Sequence, residues 1–285
     1  MTSLRQQMID AMQQRGFSPR THQSYLAAVR ALATYFHKPP DQLQQAQIQD
    51  YFVYLVKERH LSAASCRLYL NGIRFLYLQV LKWPEFDVPI QIPKRPQKIP
   101  ELLTRQEVKQ IIEACHNPKH RVLLLTCYGC GLRVSELVSL KVRHVDGERQ
   151  LLRVEQGKGA KDRTVMVSAA LLAQLRHYWQ RYHPQDWLFP NSNTPRLPLT
   201  MGTAQKVFKK AKAATGIQKI GGIHSLRHAY ATHQLQSGLP VYTLQQQLGH
   251  SDIHSTMHYV HWVAQHQSGV PPMIDLIEQL GVGYE

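Results

Sequence analysis

Acidic side chains are scarce in this 285-residue chain, with 19 Asp and Glu set against 34 Lys and Arg. The sequence holds no cluster of carboxylates, no H-E-x-x-H and no Gly-Lys-Ser/Thr phosphate loop, so the common metal-hydrolase and nucleotide-binding designs have no foothold. Cysteine is equally sparse. Cys66, Cys115, Cys127 and Cys130 are too few and too scattered for a disulfide framework. The one C-x-x-C, Cys127 to Cys130, has no partner pair for a zinc site. It lies in "RVLLLTCYGCGLRVSEL", which reads as a helix running into a glycine turn, not the strand-then-helix of a redox motif. Reduced core cysteines are expected. No run approaches the roughly 18 apolar residues of a membrane helix, and "MTSLRQQMIDAMQQRG" lacks the apolar centre of a signal peptide. A cytoplasmic protein with no membrane partner is the expectation. Internal repeats and low-complexity segments are missing as well.

What is abundant is positive charge, +15 in total. Residues 1–100 carry 13 basic and 6 acidic side chains and residues 101–285 carry 21 and 13, so the excess is spread over the chain rather than gathered in a tail. An extended basic surface favours a polyanion, and nucleic acid is the natural one.

The first 82 or so residues read as four helices. "SPRTHQSYLAAVRALATYF" opens with Ser-Pro and places Tyr25, Val29, Leu32 and Phe36 at helical spacing. "SAASCRLYLNGIRFLYLQVL" begins with a Ser cap and carries Leu68, Ile73, Leu76 and Val80. Five prolines at 84, 89, 93, 96 and 100 then forbid a continuing helix and favour a stiff connector. Beyond it, "LTRQEVKQIIEAC" shows a capping box from Thr104 to Glu107. An apolar helix at 120–130 and a short helix near Arg133 follow. Between 138 and 168 the period changes, and two β-type runs flank Gly-Lys-Gly in "LLRVEQGKGAKDRTVMV". Helices are expected again at about 169–182, 203–215, 225–237, 240–248 and 252–260, with a last amphipathic piece after Pro271-Pro272. The fold class is therefore mainly α with a small β-sheet. Its two domains are 1–88 and 101–285, joined by a proline-rich linker at 89–100.

Six polar groups sit at turns and helix starts in apolar surroundings: Arg133, Lys158, His224, Arg227, His250 and Tyr259. His224 and Arg227, three apart, share one helix face. Arginine forks bind two phosphate oxygens and stabilise charge on a pentavalent phosphorus. A tyrosine oxygen is a covalent nucleophile once its proton is shared or removed, and a lysine or histidine can protonate the leaving oxygen. Each residue also has a plain structural reading. Arg133 could pair with Glu136, His224 could cap its helix, Lys158 could be a solvated turn residue, and Tyr259 could be a core tyrosine. His254 and His258, with His250 or His261, are metal-ligand types, yet a one-sided pair is thin support for a metal site. A basic, DNA-facing or solvated helix accounts for them better.

"GCGLRVSELVSL", "GKGAKDRTVMV", "HSLRHAYATHQLQSG" and "LQQQLGHSDIHSTMHYVH" resemble the successive motifs of the tyrosine recombinases, or phage-type integrases, with a flavour closest to the Xer recombinases. The resemblance extends to the first 90 residues, which are similar to that family's helical, SAM-like core-binding domain. It implies that Arg133 and Arg227 clamp the scissile phosphate and that Lys158, rather than nearby Lys161, protonates the 5′-hydroxyl leaving group. It further implies that His224 assists proton transfer at the tyrosine, that His250 supports the phosphate, and that Tyr259 is the nucleophile.

The same resemblance implies a C-shaped clamp on a duplex DNA recombination site, a 3′-phosphotyrosyl intermediate, a Holliday junction, and no metal, ATP or other cofactor. The assembly would be a homotetramer on two sites or a heterotetramer with a related recombinase, and the need for an accessory protein stays open. Residues 271–285 would dock on a neighbour. No extra insertion between Lys158 and His224 suggests an integron-type enzyme, and the expected layout is that of the simpler two-domain members, without an additional arm-binding domain. A type IB topoisomerase-like activity, or DNA binding without cleavage, are the alternatives.

Overall fold

The computed structural model describes residues 3–86, 101–155 and 162–266. The chain separates into two compact units, Met1–Lys98 and Ile99–Glu285. The linker expected at 89–100 and the terminal piece expected after Pro272 lie outside the described residues.

The first unit is built from α1 (Ser3–Gln14), α2 (Pro19–Phe36), α3 (Gln45–Lys57) and α4 (Ala63–Phe75). Ser18 and Ser62 start α2 and α4 as read from the sequence, each hydroxyl accepting a backbone N–H from the residue three positions on. The apolar stripes converge on a core of Met8, Met12, Leu32, Ile48, Phe52, Leu55, Ile73 and Leu76, with Tyr25, Val29 and Phe36 packed at its margin. Leu68 departs from its expected place and is 40% exposed. Five residues separate it from Ile73, about 140° around a helix, so the two cannot share a buried face. After Phe75 the helix widens into a π-turn, Leu76–Val80. There the buried Tyr77 hydroxyl donates to the Pro40 carbonyl at 2.6 Å.

The second unit contains α5 (Arg105–Glu113), α6 (Pro118–Gly129), α7 (Val134–Val138), β1 (Val145–Asp146), β2 (Leu151–Val154), β3 (Arg163–Met166), α8 (Ala169–Tyr182), α9 (Met201–Ala214), α10 (His224–Gln236), α11 (Val241–Leu248) and α12 (His254–His266). The Thr104–Glu107 capping box is formed in both directions. The strands make an antiparallel sheet in the order β1-β2-β3, with Leu152 opposite Val165. β1, two residues long, is too short to show a period and was not expected. The turn between β2 and β3, residues 156–161, lies outside the described residues. α12 runs past the expected end at 260.

Cys127 and Cys130 are free and buried, as anticipated, and burial pushes both thiols up to about 12. They belong to the main apolar core of this unit. A smaller apolar cluster of Tyr230, Ala231, Leu244, Leu248 and Tyr259 ties α10, α11 and α12 together and so fixes Tyr259. No helix among the described residues is long and apolar enough to cross a membrane.

The turn from α6 into α7 decides where Arg133 points. Gly131 takes φ +59, and a Cβ there would lie 2.3 Å from Cδ1 of Tyr230. Gly131→Ala therefore meets both a left-handed backbone and a ring that cannot withdraw from its core cluster. Urea unfolding of the full chain is expected to show a loss of about 2–5 kcal/mol. A loss within experimental error would show that this turn is not held as described.

Candidate active site

Glu136, in α7, is at the centre of the site, with its side chain 4% exposed. Arg163, from β3, forks onto it with two bonds of 2.8 Å, Nη1 to Oε1 and Nη2 to Oε2. Arg133, the residue before α7, donates from its backbone N–H to Oε2 at 2.8 Å and from Nη1 to Oε1 at 2.7 Å. Arg227, in the first turn of α10, brings Nη1 to 3.8 Å from Oε2. Burial alone would raise the Glu136 pKa, but Arg163, the Arg133 amide and the Arg133 guanidinium together hold it down at about 2. Three guanidiniums against one carboxylate leave a local excess of two positive charges. Such a cluster attracts an anion.

Carbonyl groups at two chain turns aim these arginines. Arg227 is 1% exposed and donates from Nη1 to Gly131 O and from Nη2 to Leu248 O, both at 2.7 Å. Arg163 Nε donates to Gln247 O at 3.0 Å, and Arg133 Nη2 donates to Gly249 O at 3.2 Å. The C-terminal carbonyls of α11 thus serve all three cations, as expected where a helix leaves its last carbonyls unpaired. Gly249 ends that helix at φ +62, and a Cβ on it would stand 2.8 Å from Arg163 Cδ. Desolvation, then repulsion from Arg133, lowers the Arg227 pKa to about 10, still far above neutrality.

His250 follows that glycine. Its Nε2 lies 3.0 Å from Arg227 Nη2 and its Nδ1 lies 2.8 Å from the buried Thr256 hydroxyl. A guanidinium only donates, so Nε2 is the acceptor and the neutral ring carries its proton on Nδ1, directed at Thr256. Tyr259, one turn further along α12, is 4% exposed. Its ring lies parallel to His250, with centroids 6.2 Å apart, and edge-on to Trp262 at 5.2 Å. The Tyr259 hydroxyl is 3.0 Å from Nδ1 of His228. Burial raises the phenol's pKa, while the Arg227 guanidinium aimed at its oxygen and the charge of Arg133 oppose that rise.

The structure therefore brings Arg133, Arg227, His250 and Tyr259 together. His224, the first residue of α10, is exposed on one side and packs its ring edge-on against His228, 4.8 Å between centroids. Its partial desolvation, then Arg227 and Arg133, lower its pKa. Lys158 lies outside the described residues. His254, His258 and His261 are exposed, and among the described residues no three His, Cys, Asp or Glu side chains converge as a metal site.

Sequence reasoning missed His228, Arg163 and Thr256. His228 was visible in principle, four residues after His224 and so on the same helix face. Arg163 gave no local sign, because its carboxylate partner is 27 residues earlier. Glu136 was seen only as a structural partner of Arg133, and that ion pair is real.

Glu136 has a folded-state pKa of about 2 against an ordinary value of 4.5. Its contribution, on the order of 3 kcal/mol, is fully present above about pH 4.5 and disappears as the pH falls through about 2. Glu136→Gln leaves three buried or half-buried guanidiniums without their carboxylate. Chemical unfolding at neutral pH should show about 3–5 kcal/mol lost, with the gap from wild type closing as the pH approaches 2. A gap that stays constant with pH would mean that Glu136 is not the ionised hub.

Two family models match the chain. The phage integrase family covers residues 101–266, and the N-terminal SAM-like domain of phage integrases covers residues 4–85. An integrase/recombinase of Sinorhizobium fredii is 41% identical over 262 residues, which is 91% of this chain and 84% of that protein. Tyrosine recombinase XerA of Pyrococcus furiosus is 35% identical over 192 residues, 66% of each chain. A lambda integrase tetramer solved on a Holliday junction shares the fold, with a TM-score of 0.76 over 94% of this chain and 79% of that one at 18% identity. The chain belongs to the phage integrase family and is a tyrosine recombinase.

Proposed function

We propose that this recombinase cuts and rejoins duplex DNA through a 3′-phosphotyrosyl link on Tyr259. The observation that carries this reading is the placement of a single buried phenol oxygen beside the Arg227 guanidinium, within a cluster whose net charge is positive. Arg133 and Arg227 would each offer N–H groups to the non-bridging oxygens of one phosphodiester. Their geometry is already fixed by carbonyls and by Glu136, so little reorganisation accompanies charge build-up at phosphorus. His250, accepting from Arg227 Nη2, would hold that guanidinium in place for the phosphate.

Attack by the Tyr259 oxygen forms a P–O bond to tyrosine and breaks the P–O5′ bond. In the role assigned by resemblance, Lys158 delivers the proton that the departing 5′ oxygen takes up. The 5′-hydroxyl of a partner strand then attacks the phosphotyrosine, and a second round resolves the resulting Holliday junction. The covalent link retains the phosphodiester's energy, so the step needs no nucleotide hydrolysis. Four protomers on two DNA sites, all of this chain or shared with a related recombinase, would complete the exchange.

The test uses a nicked duplex, drawn by selection on the protein from a random-sequence pool, with EDTA present. Wild type should form a protease-sensitive covalent adduct at the 3′ side of the break, and Tyr259→Phe should form none. An adduct with Tyr259→Phe would move the nucleophile elsewhere. Supercoil relaxation by wild type with no recombinant product from paired sites would replace strand exchange by a topoisomerase activity.

A further inference from the structure

We infer that His228 takes the Tyr259 proton during attack on the phosphate, a role that resemblance alone gives to His224. The inference rests on the recombinase reading of Tyr259 and assigns a step that reading leaves open.

The geometry begins with the phenol oxygen. Arg227 faces it as a donor, and a guanidinium has no lone pair with which to receive a proton. The tyrosine's own hydrogen must therefore point elsewhere, and His228 Nδ1 stands 3.0 Å away. Among the described residues Tyr259 is the only hydrogen-bond partner of the His228 ring. His224, by contrast, makes no hydrogen bond to Tyr259 among the described residues. It touches His228 edge-on, with rings 86° apart, and so stands one ring further from the reacting atom.

His228 is also held in place for this task. It occupies the residue after Arg227 on α10, so the phosphate clamp and the acceptor share one rigid turn of helix. Trp262 of α12 presents an edge-to-face contact to the ring at 5.8 Å and another to Tyr259 at 5.2 Å. The two histidines and the tyrosine thus form a line, His224, His228, Tyr259, that ends on the phenol oxygen. Burial first, then the neighbouring His224 and Arg227, lowers the His228 pKa to about 4. The free ring is consequently neutral at pH 7 and has a lone pair to use. A phosphodiester entering the arginine cluster brings negative charge that offsets Arg227 and Arg133, which strengthens the base when substrate arrives.

In the step, the Tyr259 O–H bond breaks as the tyrosine P–O bond forms. The proton passes to His228 Nδ1, and the electron pair of the breaking P–O5′ bond leaves with the 5′ oxygen. When the partner 5′-hydroxyl attacks, its proton returns to the group that had protonated the first leaving oxygen, the tyrosine P–O bond breaks, and the imidazolium gives its proton to the departing tyrosine oxygen. His228 is thereby restored at each strand exchange.

His228→Asn places an amide oxygen near the position of Nδ1, so the hydrogen bond can persist while proton acceptance is lost. Single-turnover cleavage of the selected nicked duplex is expected to slow by about 100-fold or more, the usual contribution of a general base, with DNA binding retained in a mobility-shift assay. The same variant is then given a duplex whose bridging 5′ oxygen at the break is sulfur. A thiolate leaves without a proton, so this substrate rescues loss of a leaving-group acid and not loss of a base at the nucleophile. The His228→Asn defect should persist on it. Wild-type speed on the oxygen substrate, or rescue by sulfur, overturns the assignment. Failure of wild type to form an adduct on either duplex would instead overturn the recombinase reading beneath it.

One measurement needs no variant at this position. The imidazole ¹⁵N shifts of the wild-type protein should show His228 with its proton on Nε2, and an Nδ1–H tautomer would contradict the inference.

Discussion

A carboxylate buried among three guanidiniums constrains the second unit more than any other contact. Taken alone, Glu136 would be costly to bury, and so would Arg227. Together they are stable because the donors of Arg163 and Arg133 saturate the carboxylate, and because carbonyls at Gly131, Gln247, Leu248 and Gly249 occupy the outward faces of the arginines. The excess positive charge that remains favours an anion at this site. Stability and chemistry therefore draw on the same ions. Removing any one of them is expected to disturb its neighbours as well as its own contacts.

This dependence explains the arrangement of elements around the site. The contributing residues come from the α6–α7 turn, β3, the first turn of α10, the end of α11 and the first half of α12, segments spread over about 130 residues of sequence. None could form the cluster alone. Two glycines with left-handed backbones, Gly131 and Gly249, turn the chain so that carbonyls face inward, and a side chain would collide with Tyr230 of the apolar cluster at the first and with Arg163 at the second. The apolar cluster beneath Tyr259 then sets the phenol against His228 and the arginines. An exposed phenol can be held by water. This one is held by protein.

Local chemistry was legible in the sequence where its cause is local. The Ser18, Ser62 and Thr104 caps, the two β-type runs on either side of Gly-Lys-Gly and the short helix after Arg133 each depend on residues within a few positions of one another, and each element appears where it was read. Spacing misled at Leu68, because an apolar residue between two stripe positions need not lie on the stripe. β1 carried no signal at two residues. For the site, the motif residues Arg133, Arg227, His250 and Tyr259 do meet, yet the groups that orient them were hidden. Arg163 acts on a carboxylate far away in sequence, and Thr256 matters only because α12 folds back beside His250. His228 stood in plain view, but nothing in the sequence said which of two histidines would reach the phenol.

On the reading proposed above, the arginine cluster is assembled around Glu136 before DNA arrives and receives the scissile phosphate without rearranging. A crystal structure of Tyr259→Phe bound to its selected duplex tests this most directly. The account predicts one phosphate with its non-bridging oxygens on Arg133 and Arg227, and with the Arg163 fork and the Arg133 pair to Glu136 still in place. A phosphate bound away from these arginines, or a Glu136 released from them on binding, would contradict it.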